Sequence, residues 1–176
     1  NQENQPARIP QLTEHYNVRS IISEPLKDFV QKRSKENLII FLSAMDEASN
    51  KLPREFVDYL KKYGSHIDTL PYRGSYGAVL FNGKIAEAIN GSGPVTLNSK
   101  NLKDNPVNRK VSFQVFSAGQ PFGNNSSIII NNFDYSIKGR GLNIVVFDTQ
   151  ANEVTDIVCY DTHLGDERNS LRAFRK

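Results

Sequence analysis

The residues of this 176-residue chain that are best suited to metal chemistry follow an apolar strand pattern near the C-terminal end. Asp161, His163 and Asp166 lie close together in sequence, and carboxylates with an imidazole could bind a divalent cation. Loops that hold hard cations supply more oxygen ligands than these three residues offer. The cluster is more typical of a solvated turn or a helix cap, so we expect no metal and no other cofactor.

Cys159 is the one cysteine, which makes it the only candidate thiol nucleophile and excludes an internal disulfide. It lies between Val158 and Tyr160 in a strand pattern, without a nucleophile motif around it. We therefore expect a small buried apolar side chain. A glycosidase would need two carboxylates such as Asp46 and Asp161 at a defined distance, which sequence spacing does not supply. The sequence predicts that this protein is not an enzyme.

Gly139 and Gly141 flank Arg140, a pattern that superficially suggests phosphate binding. A phosphate-binding glycine loop leads into a helix, whereas the residues from Leu142 onward predict a strand. The two glycines therefore indicate a backbone bend or bulge at the entry of that strand.

Charge and hydropathy argue against nucleic-acid binding and against a membrane-spanning helix. The net charge is +3, and residues 71–110 hold six Lys or Arg against two acids. A nucleic-acid groove normally needs denser basic clusters with interleaved aromatics, so we expect no nucleic-acid partner. The longest apolar run, Leu38–Leu42, is far shorter than the ~20 residues of a spanning helix, and we expect no membrane span.

The elements that must position these residues fall into two parts. In the first part, capping signals and apolar spacing predict helices over Ser23–Arg33 and Pro53–Tyr63. Between them, Leu38–Leu42 is apolar on both faces and predicts a central strand, with a polar turn over Ser43–Lys51. Tyr72–Asn82 predicts a strand that ends in a strong hairpin signal, Asn82-Gly83.

The second part consists mainly of predicted strands. Asn90–Asn108 is rich in Gly, Ser, Asn, Pro and Lys and predicts a linker or long loop. Alternating or short apolar runs then predict strands over Val111–Phe116, Ser127–Asn131, Tyr135–Ile137, Leu142–Phe147 and Val154–Tyr160. Asp166–Arg175 predicts a third helix, with Leu171 and Phe174 on one side.

Four motifs in these contexts occur together in one known family: Met45 to Ser49, Leu70 to Gly77 with Tyr72-Arg73, Gly139 to Asn143, and Tyr160-Asp161-Thr162. The chain resembles the interleukin-like EMT inducer (ILEI) domain, also called the PANDER-like or GG domain, over most of 23–97 and 111–176. Tyr160 replaces a usual Phe, and Gly74 follows Arg73 where an aromatic is common. The resemblance implies an α/β (α+β) fold with compact, β-sandwich-like sheets and two or three short flanking helices.

The two halves of the resembled domain stand in reversed order in this chain. We divide the single expected domain into a polar arm (1–20), a rear half (21–97), a linker (98–110) and a front half (111–176). A circular permutation is the favoured explanation, because permutation is tolerated where termini lie close together. The alternatives are parts of two tandem copies, or halves exchanged between neighbouring molecules.

The resemblance also implies a site and a function. In a sugar-binding member of the family, the matching motif positions hold a glycan, and here they are Asp46, Arg73 and Arg140. Guanidinium and carboxylate groups form charge-assisted hydrogen bonds to hydroxyls. Tyr72 or Tyr76 would supply an apolar ring face. The alternative interpretation is that Arg140 and Asp46 pair and brace the junction of the halves.

The function implied is a non-catalytic carbohydrate-binding or glycan-associated module, whose partner is a glycan or glycoprotein. It would be secreted or extracytoplasmic, on the cell surface or the periplasmic side. One alternative is a self-assembling surface protein, a homo-oligomer joined through swapped halves. The other alternative is a secreted signalling ligand.

Overall fold

The computed structural model of the protein describes residues 8–20, 23–107, 111–165 and 170–176. These residues form two α-helices, eleven strands and three short 3-10 helices. The helices are α1 (Leu26–Arg33) and α2 (Arg54–Lys61). The strands are β1 (Tyr16–Arg19), β2 (Leu38–Asp46), β3 (Ser75–Phe81), β4 (Lys84–Asn90), β5 (Val95–Asn98), β6 (Phe113–Gly119), β7 (Asn125–Ile130), β8 (Phe133–Asp134), β9 (Gly141–Asp148), β10 (Glu153–Tyr160) and β11 (Leu171–Arg175).

Strand β2 is the centre of the sheet. It pairs antiparallel with β9 from Leu38 to Met45 and with β3 from Ile40 to Ser43. At its C-terminal end it leaves β3 and pairs parallel with β6 instead. One layer therefore runs β4-β3-β2-β9-β10-β11-β1, and a second layer of β5 to β8 is attached to it through β6.

The two faces of β2 serve two different cores. Ile40 and Leu42 belong to a buried cluster that includes Phe29 of α1 and Phe56 of α2. Ile39 and Phe41 point the other way, into a cluster with residues of β6 and β7 such as Val115 and Ile128. Because side chains alternate along a strand, a strand with apolar residues on both faces must be covered on both sides. The predicted central strand and the predicted α+β, sandwich-like fold class are confirmed.

The far ends of the two layers approach each other and curl the sheet. Gln11 forms a parallel bridge with Asp134 at the end of β8. The ring of Tyr16 on β1 lies 6.3 Å from the rings of both Phe133 and Tyr135. No helix within the described residues has the length and apolar character needed to cross a membrane.

Three sequence expectations are corrected by the sheet. The third helix predicted over Asp166–Arg175 is wrong, because Leu171–Arg175 form strand β11 between β10 and β1; residues 166–169 lie outside the described residues. The polar turn predicted over Ser43–Lys51 starts later, because β2 continues to Asp46. The predicted arm and loop also contribute strands: β1 lies within 1–20, and β5 lies within 90–108.

Strands from both predicted halves share this sheet. Strand β2 from residues 21–97 pairs with β9 from residues 111–176 in the same chain, over eight residue pairs. Both apolar clusters contain side chains from both parts. The origin of the reversed order, by permutation, tandem copies or exchange, stays a prediction.

Candidate functional site

The end of β2 brings the predicted site positions together. Met45 pairs with Gly141 of β9, which places Arg140 beside Asp46 at the next register position. On the other side, Asp46 pairs with Gly119 of β6. The position at which β2 changes partner is thus flanked by the Gly-Arg-Gly entry of β9 and by the end of β6.

Two glycines allow this close approach. A Cβ atom on Gly119 would lie 1.9 Å from the carbonyl oxygen of Arg73, so the loop carrying Arg73 packs directly on this glycine. Gly141 has φ of +109°, and a Cβ there would lie 2.2 Å from the carbonyl oxygen of Tyr160. Only glycine suits a site that combines left-handed backbone with such crowding.

Arg140 is held in place by a carboxylate, and that carboxylate belongs to Asp161 rather than Asp46. Its Nη2 and Nε donate to the two oxygens of Asp161 at 2.8 and 3.3 Å. The hydrogen bond to Asp161 raises the pKa of Arg140, and the nearby charges of Asp46 and Glu47 add to this effect. With 39% of its side chain exposed, Arg140 presents a fixed guanidinium to solvent.

Asp46 is the most unusual residue of the site. It is half-buried, and its φ of +63° places a non-glycine residue in the left-handed region. Backbone of this kind costs free energy and is concentrated at functional positions. Its carboxylate makes no hydrogen bond or ion pair with the residues that the structure describes, although it lies within electrostatic reach of Arg140.

Arg73 and Tyr72 lie exposed on the other side of Asp46. Arg73 also has left-handed backbone, with φ of +59°. Its guanidinium lies 5.1 Å from the centre of the Tyr72 ring and donates to Oε1 of Gln120 at 3.4 Å. Tyr72 is 60% exposed, so its ring is accessible to a ligand at the surface.

Tyr76 does not share this exposure. Its side chain is completely buried, and its hydroxyl donates to Oε2 of Glu87 at 2.7 Å. The pKa of Tyr76 is raised well above its usual value by burial and by the Glu87 charge. The ring face predicted for a ligand is therefore available on Tyr72 and inaccessible on Tyr76, because Tyr76 points into the core beneath the helices.

Glu47, adjacent to Asp46, is a positioning residue that the sequence analysis did not single out. Its buried carboxylate accepts hydrogen bonds from the Ser49 hydroxyl and amide, the Asn50 amide and the Arg73 amide. It also contacts Nδ1 of His163 at 2.9 Å. The one available signal was the Asp-Glu pair in the Met45 to Ser49 motif.

The hydrogen bonds to Glu47 decide its charge. Burial alone raises the pKa of this carboxyl, but the bonds from Ser49, His163 and Arg73 outweigh burial and lower the pKa to about 2. Glu47 is therefore an anion at neutral pH. It ties the loop after β2, the loop of Arg73 and the exit of β10 into one rigid unit.

The other residues considered for chemistry in the sequence, Cys159 and the group of Asp161, His163 and Asp166, are buried, bonded to other side chains or outside the described residues. Cys159 is 2% exposed, and burial raises the pKa of its thiol to about 12. Asp161 and His163 are bonded to Arg140 and Glu47, while Asp166 lies outside the described residues. Among the residues that are described, no three His, Cys, Asp or Glu side chains form a group that could hold a metal ion.

Comparison with known proteins identifies one family. Residues 11–84 match the family model described as Interleukin-like EMT inducer, which confirms the resemblance over this range. The matched range contains Asp46, Glu47 and Arg73, whereas Arg140 lies beyond it. This family is an extracellular, secreted one of a signalling type. No curated protein and no solved structure matches the chain.

Proposed function

From the premise that residues 11–84 carry the ILEI family sequence, we propose that this protein is a non-catalytic, extracellular carbohydrate-binding module. The proposed ligand is a saccharide of a glycan or glycoprotein, bound at the end of β2. The observation that carries the proposal is the Asp46 carboxylate, which lies within electrostatic reach of the exposed Arg140 and makes no hydrogen bond with the described residues. Its backbone pairs with Gly119, against which the loop of the exposed Arg73 packs.

The unsatisfied groups match the hydrogen-bonding needs of sugar hydroxyls. A guanidinium has five N–H donors. Arg140 uses two of its nitrogens on Asp161, and Arg73 uses one on Gln120, so each retains donors that point elsewhere. The Asp46 carboxylate can accept from a hydroxyl that simultaneously receives a guanidinium N–H. Such charge-assisted bonds are roughly twice as strong as neutral ones.

Tyr72 completes the arrangement expected of a sugar site. Pyranose rings present apolar C–H faces as well as hydroxyls, and an exposed aromatic ring covers such a face. Tyr72 is exposed beside the Arg73 guanidinium, so one saccharide could contact the ring and the cation together.

The site is also organised before a ligand arrives. Arg140 is fixed by two bonds to Asp161, and Glu47 fixes the backbone at Arg73. Groups that are already ordered lose little conformational freedom on binding, which favours affinity. This rigidity supports a recognition role for the site.

The protonation of the acids supports binding rather than hydrolysis. A glycosidase needs one carboxylic acid that stays protonated near neutral pH. The pKa of Glu47 is lowered to about 2, so Glu47 is not suited to act as that general acid. We propose that the module binds its ligand without altering it.

A glycan array followed by titration calorimetry tests the proposal. We expect saccharide binding by the wild-type chain and a loss of at least tenfold in affinity for Arg140→Ala and Arg73→Ala. Asp46→Asn keeps the shape but removes the charge and should weaken binding less. Arg54→Ala is the control, because Arg54 is 93% exposed on α2 and lies outside the site. Unchanged binding in Arg140→Ala and Arg73→Ala would remove the proposed site.

A second candidate function is a secreted signalling ligand, which the family description favours. Tyr72 and Leu164 are large apolar side chains exposed on the described surface. Tyr72 directly precedes Arg73, and Leu164 directly follows His163, which contacts Glu47. Aromatic and arginine side chains are typical of the centre of protein interfaces. Receptor capture that is lost in Tyr72→Ala, in the absence of any saccharide binding, would favour this function over the first.

A further inference from the structure

A second concave surface lies at the other end of the sheet, where β10 and β11 separate. Within the described residues their ladder consists of two pairs, Val158↔Arg172 and Cys159↔Leu171. Strand β11 then continues to Arg175 in pairing with β1 alone, while β10 begins at Glu153. The resulting groove has a volume of about 650 Å³.

Aromatic side chains form one wall of this groove. Tyr16 and Arg175 are directly paired across β1 and β11, so their side chains share the face that looks toward the second layer. There Tyr16 meets Tyr135, with ring centres 6.3 Å apart. The ring centres of Phe133 and Tyr135 are 4.4 Å apart. A second cavity of about 210 Å³ is lined by Tyr16, Phe133 and Tyr135 and adjoins the groove.

The charge of the groove is set by two arginines with different partners. Arg172 is engaged, because its Nη2 donates to Asp156 at 2.6 Å. Arg175 is exposed, lies 5.9 Å from the Tyr16 ring centre and forms no ion pair in the described part of the chain. Glu153 is an exposed acid in the lining.

Two phenol side chains, those of Tyr16 and Tyr135, lie within electrostatic reach of this guanidinium. The hydroxyls of Tyr16 and Tyr135 make no hydrogen bond with the described residues. Burial and the neighbouring Tyr16 raise the pKa of Tyr135, while the positive charge of Arg175 partly opposes them. A guanidinium without an ion pair among the described residues and two phenol groups thus share one end of a groove with an aromatic wall.

We propose that this groove binds an acidic oligosaccharide, with a carboxylate on Arg175 and the sugar rings against Tyr16 and Tyr135. A free guanidinium favours an anion, and its fork geometry suits a carboxylate. The lining also includes the polar Asn152 and Thr155, which suit hydroxyl groups better than an acyl chain. The lining extends over several residues of both β10 and β11, and this extent allows a ligand of several sugar units.

This site is separate from the one at Asp46. The groove lies at the first residues of β10. Asp161, which binds Arg140, follows the last residue of β10 at the opposite end of the strand. The inference rests on the divergence of β10 and β11 and on Arg175, which forms no ion pair with the residues that the structure describes. It stands whether or not a saccharide binds at Asp46.

The test uses titration calorimetry of the full chain with a hexasaccharide of alternating uronic acid and N-acetylhexosamine. The control ligand is the same hexasaccharide with its carboxylates reduced to alcohols. We expect Arg175→Gln to weaken binding of the acidic ligand at least tenfold, and the paired variant Tyr16→Phe with Tyr135→Phe to weaken it about threefold. Arg54→Gln on α2 serves as the charge-matched control and should bind as the wild type does.

Chemical shifts of the backbone amides report which surface is used. Shifts confined to β1, β11 and the start of β10 would support the proposal. Equal binding of acidic and reduced hexasaccharides, or equal binding by Arg175→Gln, would overturn it, as would no binding at all. Binding that is lost in Arg140→Ala but kept in Arg175→Gln would overturn it while supporting the site at Asp46.

Discussion

At the scale of single residues, Glu47 links three segments that are distant in sequence. It is 2% exposed and bonds to Ser49 and Asn50 in its own loop, to Arg73 after α2 and to His163 after β10. A buried carboxylate is stable only when its oxygens are satisfied, and here four donors and an imidazole do so. The position of the Arg73 backbone at the surface therefore depends on a buried residue.

We expect Glu47→Gln to destabilise the fold by about 1–3 kcal/mol, because the amide nitrogen of Gln cannot accept the bonds now made to one carboxylate oxygen. Urea unfolding followed by circular dichroism measures the change. Glu55→Gln is the matched control, since Glu55 is exposed on α2. Equal stability of the Glu47→Gln variant and the wild type would show that Glu47 is dispensable.

The same carboxylate predicts a pH dependence. The pKa of Glu47 is lowered from 4.5 to about 2 in the folded chain, so its contribution is fully present above about pH 4.5. It is lost as the pH falls toward 2, and a shift of this size corresponds to on the order of 3 kcal/mol. Unfolding free energies measured from pH 6 to pH 2.5 should fall more steeply for the wild type than for Glu47→Gln. Parallel curves would contradict this assignment.

At the scale of elements, the hairpin between β3 and β4 shows how local sequence fixes register. Asn82 and Gly83 have φ of +53° and +75°, as a two-residue type I′ turn requires. The seven pairs from Ser75↔Asn90 to Phe81↔Lys84 follow from that turn. The hairpin predicted from Asn82-Gly83 is confirmed.

Gly83→Ala should lower the stability of the chain by about 1–2 kcal/mol, the cost of left-handed backbone for a residue with a Cβ. No atom lies within 4 Å of the position that this Cβ would occupy, so the loss would come from backbone conformation alone. Asn82→Gly keeps the required conformation and should change stability much less. Thermal unfolding compares the two, and an equal loss in both variants would refute the backbone explanation.

At the scale of the whole molecule, the two sequence segments depend on each other. The pairing of β2 with β9 and the two apolar clusters bury side chains from both segments. A strand with two apolar faces is stable only when both faces are covered. The pairing occurs within one chain, so an exchange of halves between molecules is not needed to close the core.

Separately expressed residues 1–97 and 111–176 should therefore each be unfolded, and mixing them should restore β-sheet circular dichroism. The intact chain should unfold in one cooperative transition. Two independent transitions, or a folded fragment, would show separate domains.

Light scattering after size exclusion addresses the self-assembling alternative. We expect a monomer, because β2 finds β9 in its own chain. A stable dimer or filament at high concentration would instead favour the hypothesis of exchanged halves.

The amino-acid sequence alone determined the features that depend on neighbours along the chain. Apolar residues on both faces of Leu38–Leu42 predicted a central strand, and Asn82-Gly83 predicted a hairpin, because side-chain alternation and turn conformation are local properties. The motif positions Asp46, Arg73 and Arg140 also came from the sequence, through the family resemblance.

Tertiary structure alone decided which side chains meet and which remain accessible. It placed Arg140 on Asp161, connected Glu47 to His163 and buried Tyr76 while leaving Tyr72 exposed. It also made Leu171–Arg175 a strand, since β10 and β1 offered backbone partners on both sides. These outcomes depend on strand register and on contacts between residues that are distant in sequence, such as Glu47 and His163 at 116 positions apart, for which local sequence carries no signal.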